Sequence, residues 1–257
     1  MRFKRVFFFL ALAATAQADW TILSTASEPG RDGLVHRHIV LEDPVGSQRI
    51  TMELAIFPTK SCTLRILQNE GGAVGLGEMM RHEKCLAGVN GGYFNENFAP
   101  LGLRIANGQM IAPLQRARLI TGVLVASPRG VQIIRSREFS RRLGMTAAIQ
   151  CGPFLVDRGQ PISGLNDSHL ARRTFAGTTG GSRALIGVCS GVSLAGLAKI
   201  LATTSLAEDL KIERALNLDG GSSSAFWFRR ETSHAFSISE QKTVRDFVAV
   251  VPRGSGD

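Results

Sequence analysis

The stretch Ala215 to Phe228, "ALNLDGGSSSAFWF", carries a strand, a turn and a second strand in one line. An apolar run ends at Asn217-Leu218-Asp219, Gly220-Gly221 turns the chain, and Ser222 to Ser224 lead into Phe226-Trp227-Phe228. Two glycines and three serines offer little to pack, but they present backbone N–H groups and hydroxyls, and successive N–H groups in such a turn converge into a nest for anionic oxygens. The plainer reading is a glycine hairpin with an acidic cap. Against it stands Asp219, which follows an apolar strand directly, where a carboxylate without a role is expensive to bury.

Working outward, further short apolar runs read as strands: 34–41, 50–57, 63–67, 119–126, 131–135, 154–156, 184–189, 214–218 and 246–251. Gly and Pro separate them, as in "NGGYF", "SPRG", "CGPF", "DRGQP" and "TTGGSR". Long helical periodicity is convincing over Ser193 to Leu206 alone, where Leu194, Leu197, Ala198 and Leu201 recur at helical spacing behind Ser193 as N-cap. A shorter helix is predicted over Gly77 to Lys84. No internal repeat and no dividing linker is visible. The expected fold class is therefore α+β, a single domain with a mixed, strand-rich β-sheet core and a few packed helices.

Residues 1–18, "MRFKRVFFFLALAATAQA", have the pattern of a secretory signal peptide: a basic start, an apolar run and a small-residue cleavage site. A membrane anchor would need about 18 apolar residues or more. The expected layout is a leader over 1–18 and one domain over 19–257, exported to the periplasm or the exterior, with no stable membrane insertion once the leader is cut. The whole chain has a net charge of +9, which suits anionic partners. Its arginines are scattered and no stacking-aromatic pattern accompanies them, so no nucleic-acid partner is expected. Cys62, Cys85, Cys151 and Cys189 form an even set, which in an exported chain favours disulfides. The preferred pairing joins neighbouring segments, Cys62 with Cys85 and Cys151 with Cys189. Their spacing fits no zinc or redox motif.

Two other stretches also carry glycines at turns, and a further one carries paired arginines. "GVNGGYF" places Asn90, Gly91 and Gly92 after a strand-like "LAGV", with Tyr93 and Phe94 available as pocket walls. "CGPFLVDRGQPI" is ordinary hairpin grammar, and Asp157 in it reads as a turn acceptor. "RRTFAG" brings Arg172, Arg173 and Thr174 to the start of an inner strand, and guanidinium forks match phosphate or carboxylate oxygens in pairs.

Taken in order, "VNGGYF" with "PLGLRIANG", "GPFLV", "RRTFAG" and "NLDGGSSS" resemble the phosphodiester glycosidase family from about Cys62 to Val251. Two departures stand out: Ser222 occupies the third glycine of the family's Asp-Gly-Gly-Gly-Ser motif, and Cys151 precedes the Gly-Pro. The resemblance implies hydrolysis of a sugar-phosphodiester or related envelope glycan linkage, with a carbohydrate or phosphoglycan substrate. It also implies a site in which Asp219 serves the sugar ring while Arg173, with Arg172 the weaker candidate, grips phosphoryl oxygens. Asn90, Gly91, Gly92, Tyr93, Phe94, Thr174, Gly220, Gly221 and Ser222 would line the substrate site. Glu96, Asp157 and Asp246 are all open as a second carboxylate. No cofactor or metal is expected, since no EF-hand-like acidic loop occurs. A non-catalytic envelope protein that binds anionic glycans remains the alternative, and a serine hydrolase is disfavoured because "GGSSSA" lacks the G-x-S-x-G elbow.

Overall fold

The computed structural model describes residues 20–43, 45, 47–206, 210–232 and 234–254. The expected leader over 1–18 lies outside the described residues. These fold as 18 strands with two α-helices, Leu76–His82 and Leu194–Thr203.

The strands form three sheets, and every pairing between them is antiparallel. The largest runs, in spatial order, Thr21–Pro29, Val35–Glu42, Arg49–Pro58, Arg183–Val192, Ala171–Thr179, Ile212–Asn217, Phe154–Asp157 and Gln160–Pro161. The second orders Gln109–Ala112, Arg104–Ala106, Ala147–Cys151, Gly122–Ser127 and Gly130–Arg135. The third orders Phe236–Ile238, Phe226–Phe228, Ala87–Asn90, Asp246–Pro252 and Cys62–Gln68.

The α+β expectation with a mixed sheet and several packed helices is thus overturned: the fold is β-rich, and its sheets are antiparallel throughout. The physical reason lies in the connections. Parallel neighbours need crossovers of about a dozen residues or more, usually helical, whereas the described residues offer two α-helices and many short Gly- and Pro-marked turns.

All three sheets turn one face toward a common core that includes Phe57, Val89, Ile149, Ala176, Ile186, Leu216, Phe226, Val248 and Val250. The period-2 alternation of strands accounts for the outer faces. Val248 and Val250 point into this core, while Phe247, Ala249 and Val251 pack outward around the Leu76–His82 helix. The outer face of the eight-stranded sheet is covered by Leu197, Ala198, Ile200 and Leu201 of the second helix. Ser193 caps that helix as expected, its Oγ accepting from the Gly196 N–H at 2.9 Å.

The same layering removes the expected disulfides, for all four cysteines are buried and free. Cys62 and Cys151 belong to the central core, whereas Cys85 and Cys189 belong to the outer ones. Each expected pair is divided across a sheet. Burial pushes the Cys85 thiol up to about 11 and the Cys151 thiol up to about 12. No helix among the described residues is long and apolar enough to cross a membrane.

Candidate active site

Asn90 ends its strand wholly buried, at 0 % exposure, in a place where an amide survives only if its hydrogen bonds are met. Its Oδ1 accepts from Thr174 Oγ1 at 2.7 Å and from the Ala225 N–H at 3.1 Å, while Nδ2 donates to the Asp219 carbonyl at 2.8 Å. One side chain therefore ties the "NGG" strand to the "RRT" strand and to both ends of the "DGGSSS" loop. Backbone bonds complete the junction: Leu218 N–H donates to Thr174 O at 2.8 Å and Asp219 N–H to Gly91 O at 3.1 Å.

The "CGP" segment joins from the other side. Tyr93 donates its hydroxyl to Gly152 O at 2.7 Å, Asn217 Nδ2 reaches Tyr93 Oη and Gly152 O at 3.1 Å each, and Asn217 N–H donates to Pro153 O at 3.0 Å. Burial drives the Tyr93 phenol well above its ordinary pKa, so it stays protonated and able to donate. Phe94 turns away and stacks near Phe98, with ring centroids 4.9 Å apart.

Beneath the glycines lies an ion pair that sequence reasoning missed as a pair. Arg104 Nε donates to Asp246 Oδ2 at 2.7 Å, and each side chain is only 2 % exposed. The remaining guanidinium donors reach Leu103 O, Gln150 O and Tyr93 O at 3.1 Å each, and Asp246 Oδ1 accepts from the Gly92 N–H at 2.9 Å. A Cβ on Gly91 would overlap Asp246 Oδ1, and one on Gly92 would overlap the Arg104 guanidinium. The two glycines are there so that backbone can lie directly on this pair. Its signal was a lone arginine inside the apolar "GLRIA" and an aspartate opening "DFVAVV".

Asp219 is half-buried above this layer. Burial pushes its carboxyl above the ordinary range; the Ser223 side chain and the Gly220 N–H, 2.9 Å from Oδ1, pull it down, Asp246 raises it and Arg104 lowers it. Gly221 takes the left-handed φ of +65° that lets the chain fold into the Gly221–Ser223 turn. Within the turn Ser223 and Ser224 donate back to Gly220 O and Gly221 O. Among the described residues, the Gly221 and Ser222 N–H groups meet no acceptor.

Both arginines come to this corner. A Cβ on Gly220 would sit 2.9 Å from Arg172 O and 3.9 Å from Arg173 Cα and Cδ. Arg172 Nε donates to Gly221 O at 3.1 Å, and its Nη2 is buried without a partner. Arg173 donates to Val192 O at 3.0 Å and His169 O at 2.7 Å, and burial lowers its pKa. Among the described residues neither Asp219 nor Arg173 forms an ion pair. The Asp219 carboxylate and the Arg172 guanidinium thus meet the same turn without an ion pair, and Arg173 packs its aliphatic stem beside it; a half-buried charge left unpaired is costly unless a ligand completes it.

Of the possible second carboxylates, Asp246 lies next to Asp219 but is held by Arg104. Glu96 is exposed, and Asp157 is bound to Arg135 at 2.7 Å and Arg214 at 3.3 Å. The larger recesses, about 650 Å³ over Thr63–Arg65 and about 510 Å³ between Leu114 and Phe139, contain none of the expected site residues. Convergence of motifs, rather than cavity size, singles out the candidate site.

The fold is shared with solved structures. The catalytic domain of zebrafish N-acetylglucosamine-1-phosphodiester alpha-N-acetylglucosaminidase, auto-inhibited by its pro-peptide, matches with a TM-score of 0.66 at 16 % identity, over 90 % of this chain and 88 % of that one. A hypothetical protein from Synechocystis matches with a TM-score of 0.60 at 14 % identity, over 90 % of this chain and 64 % of that one. No curated protein sequence matches. The phosphodiester glycosidase family model matches residues 83–251, a span that holds the Asn90 clasp, both arginines and the Asp219 loop. By that match, the chain belongs to the phosphodiester glycosidase family.

Proposed function

We propose that this chain is an exported hydrolase that cleaves a sugar from a phosphodiester attached at its anomeric carbon, acting at the Asp219 loop. The observation that carries the reading is the meeting of four distant segments around one carboxylate that has no cationic partner among the described residues. Export is supported by the leader pattern of residues 1–18, and the substrate class by the family and by the name of the zebrafish relative.

The division of labour follows from charge. Cleavage breaks the bond between the anomeric carbon and oxygen, and the electron pair leaves on a phosphate monoester. That anion departs without the proton that an alkoxide requires, so the site needs a grip on phosphoryl oxygens more than a general acid. The Gly221 and Ser222 N–H groups, which meet no acceptor among the described residues, supply the grip with Arg173. Asp219 faces the anomeric centre, where its negative charge offsets developing positive charge or draws a proton from the attacking water. Asn90 and Thr174 are positioning residues here, because their polar atoms are already engaged with the loop.

The test is turnover of an N-acetylglucosamine phosphodiester by purified protein, followed by sugar release. Wild type is expected to release sugar, and Asp219→Asn to retain its fold while losing release by about 10²-fold or more. Equal rates would remove Asp219 from the mechanism. Binding of the diester with no release by wild type would favour the non-catalytic glycan-binding alternative.

A further inference from the structure

Beside the Gly221–Ser223 turn a small recess of about 50 Å³ is lined by Thr51, Glu53, Arg172, Ser190, Ser224 and Ile238 among others. Two of these bring a buried polar atom with no hydrogen-bond partner, Arg172 Nη2 and Ser224 Oγ. Ser224 is 2 % exposed and Glu53 4 %. Both residues with orphaned atoms belong to the candidate active site: Arg172 Nε holds Gly221 O, and Ser224 N–H closes the same turn on Gly221 O at 3.3 Å.

The remaining wall is fixed in place. Glu53 accepts from His36 Nε2 at 2.8 Å and His38 Nδ1 at 2.6 Å, one to each carboxylate oxygen. The His36 ring is packed by Phe226, Phe228 and Phe236, at centroid distances of 5.5, 5.0 and 4.8 Å. Ser190 Oγ accepts from the Thr51 N–H at 2.8 Å, which leaves its own hydrogen to donate.

The chemistry of the lining is selective. A phosphoryl or carboxylate oxygen would meet the Glu53 carboxylate, and an ammonium would meet Arg172. A hydroxyl suits both, since it accepts from a guanidinium and donates to a carboxylate or a serine oxygen. The volume admits such a group, because a water-sized occupant needs only about 10–15 Å³, and it is far too small for a sugar ring. We propose that this recess is a specificity subsite that reads one hydroxyl of the substrate held at the Asp219 loop, through Arg172, Ser224 and Glu53. The proposal rests on the glycosyl-phosphodiester reading and deepens it: the turn's free N–H groups and Arg173 grip phosphate, and the recess beside the turn identifies the sugar.

The probes are N-acetylglucosamine 1-phosphate and its 3-, 4- and 6-deoxy analogues, titrated calorimetrically against wild type, Ser224→Ala and Ile238→Phe. Ser224→Ala removes a hydroxyl that has no partner in the fold, and Ile238→Phe fills the recess without removing any polar group; circular dichroism and thermal melts check that each is folded. In wild type one deoxy analogue is expected to bind about tenfold or more weakly than the parent, since a site built to bond a hydroxyl rejects the analogue lacking it. That difference is expected to shrink below about twofold in whichever variant folds. Binding of all three analogues at parental affinity would overturn the subsite and leave the function standing; a water would then be the occupant. Failure of wild type to bind the parent compound at all would overturn both.

Discussion

Replacing Asn90 with alanine tests whether this residue builds the site or touches the substrate. The substitution leaves two buried groups, the Thr174 hydroxyl and the Ala225 N–H, and the half-buried Asp219 carbonyl without their partner. Each such group costs about 1–3 kcal/mol. Three of them, softened by local relaxation and an entering water, give a loss of about 3–5 kcal/mol. For a chain of this size about 1 kcal/mol moves Tm by roughly 2–4 °C, so a fall of roughly 6–20 °C is expected in a thermal melt. The loop that carries Asp219 would lose its anchor at both ends, and displacement of about 1 Å can cost about 10²-fold in rate. Steady-state kinetics should therefore show a collapse of kcat with a smaller change in KM. Thr174→Ser, which keeps the hydroxyl bonded to Asn90 Oδ1, should stay close to wild type in both measurements. An Asn90→Ala protein with unchanged Tm and kcat but a raised KM would refute this account and make Asn90 a substrate contact.

Asp246→Asn should be among the most damaging single changes outside the loop, because it leaves the Arg104 guanidinium buried without its counter-charge, at a cost of about 3–5 kcal/mol; a urea midpoint that barely moves would contradict this. Asp219 gives the opposite sign. Its folded pKa is raised, so between its ordinary and its raised value the folded chain binds more protons than the unfolded one, and stability falls as pH rises through that window. Asp219→Asn should accordingly be more stable than wild type at neutral pH, with the gap closing as pH drops below the ordinary aspartate range; parallel melting curves across pH would refute it. Thiol titration in denaturant should count all four cysteines free, with slow labelling in the native state as expected of thiols that burial keeps protonated. A count of two or fewer would restore disulfides.

Much of this fold could be read from the chain, because strands announce themselves locally. Phe154–Asp157 and Asp246–Pro252 begin where the apolar runs begin, and Ser193 before Leu194 marks the helix start in the residues themselves. What could not be read was pairing. Whether Arg183–Val192 lies parallel or antiparallel to Arg49–Pro58 depends on partners more than a hundred residues apart, and the wrong choice produced the mixed α+β expectation. The disulfide pairing failed for the same reason: nearness in sequence says nothing of which side of a sheet a cysteine faces. In the site, side-chain types were legible but their tasks were not. Asn90 carried the signal of a polar residue beside glycines, yet only the geometry shows its amide committed to the loop. Arg104 was hidden because an arginine in a short strand reads as solvated until Asp246 is found beneath it.

The account is tested most directly by a crystal structure with N-acetylglucosamine 1-phosphate soaked in. The phosphate is expected against the Gly221 and Ser222 N–H groups and the Arg173 guanidinium, with the anomeric carbon beside the Asp219 carboxylate. Ligand seated instead among Arg116, Arg135 and Arg137 in the recess between Leu114 and Phe139, with the Asp219 loop empty, would contradict it.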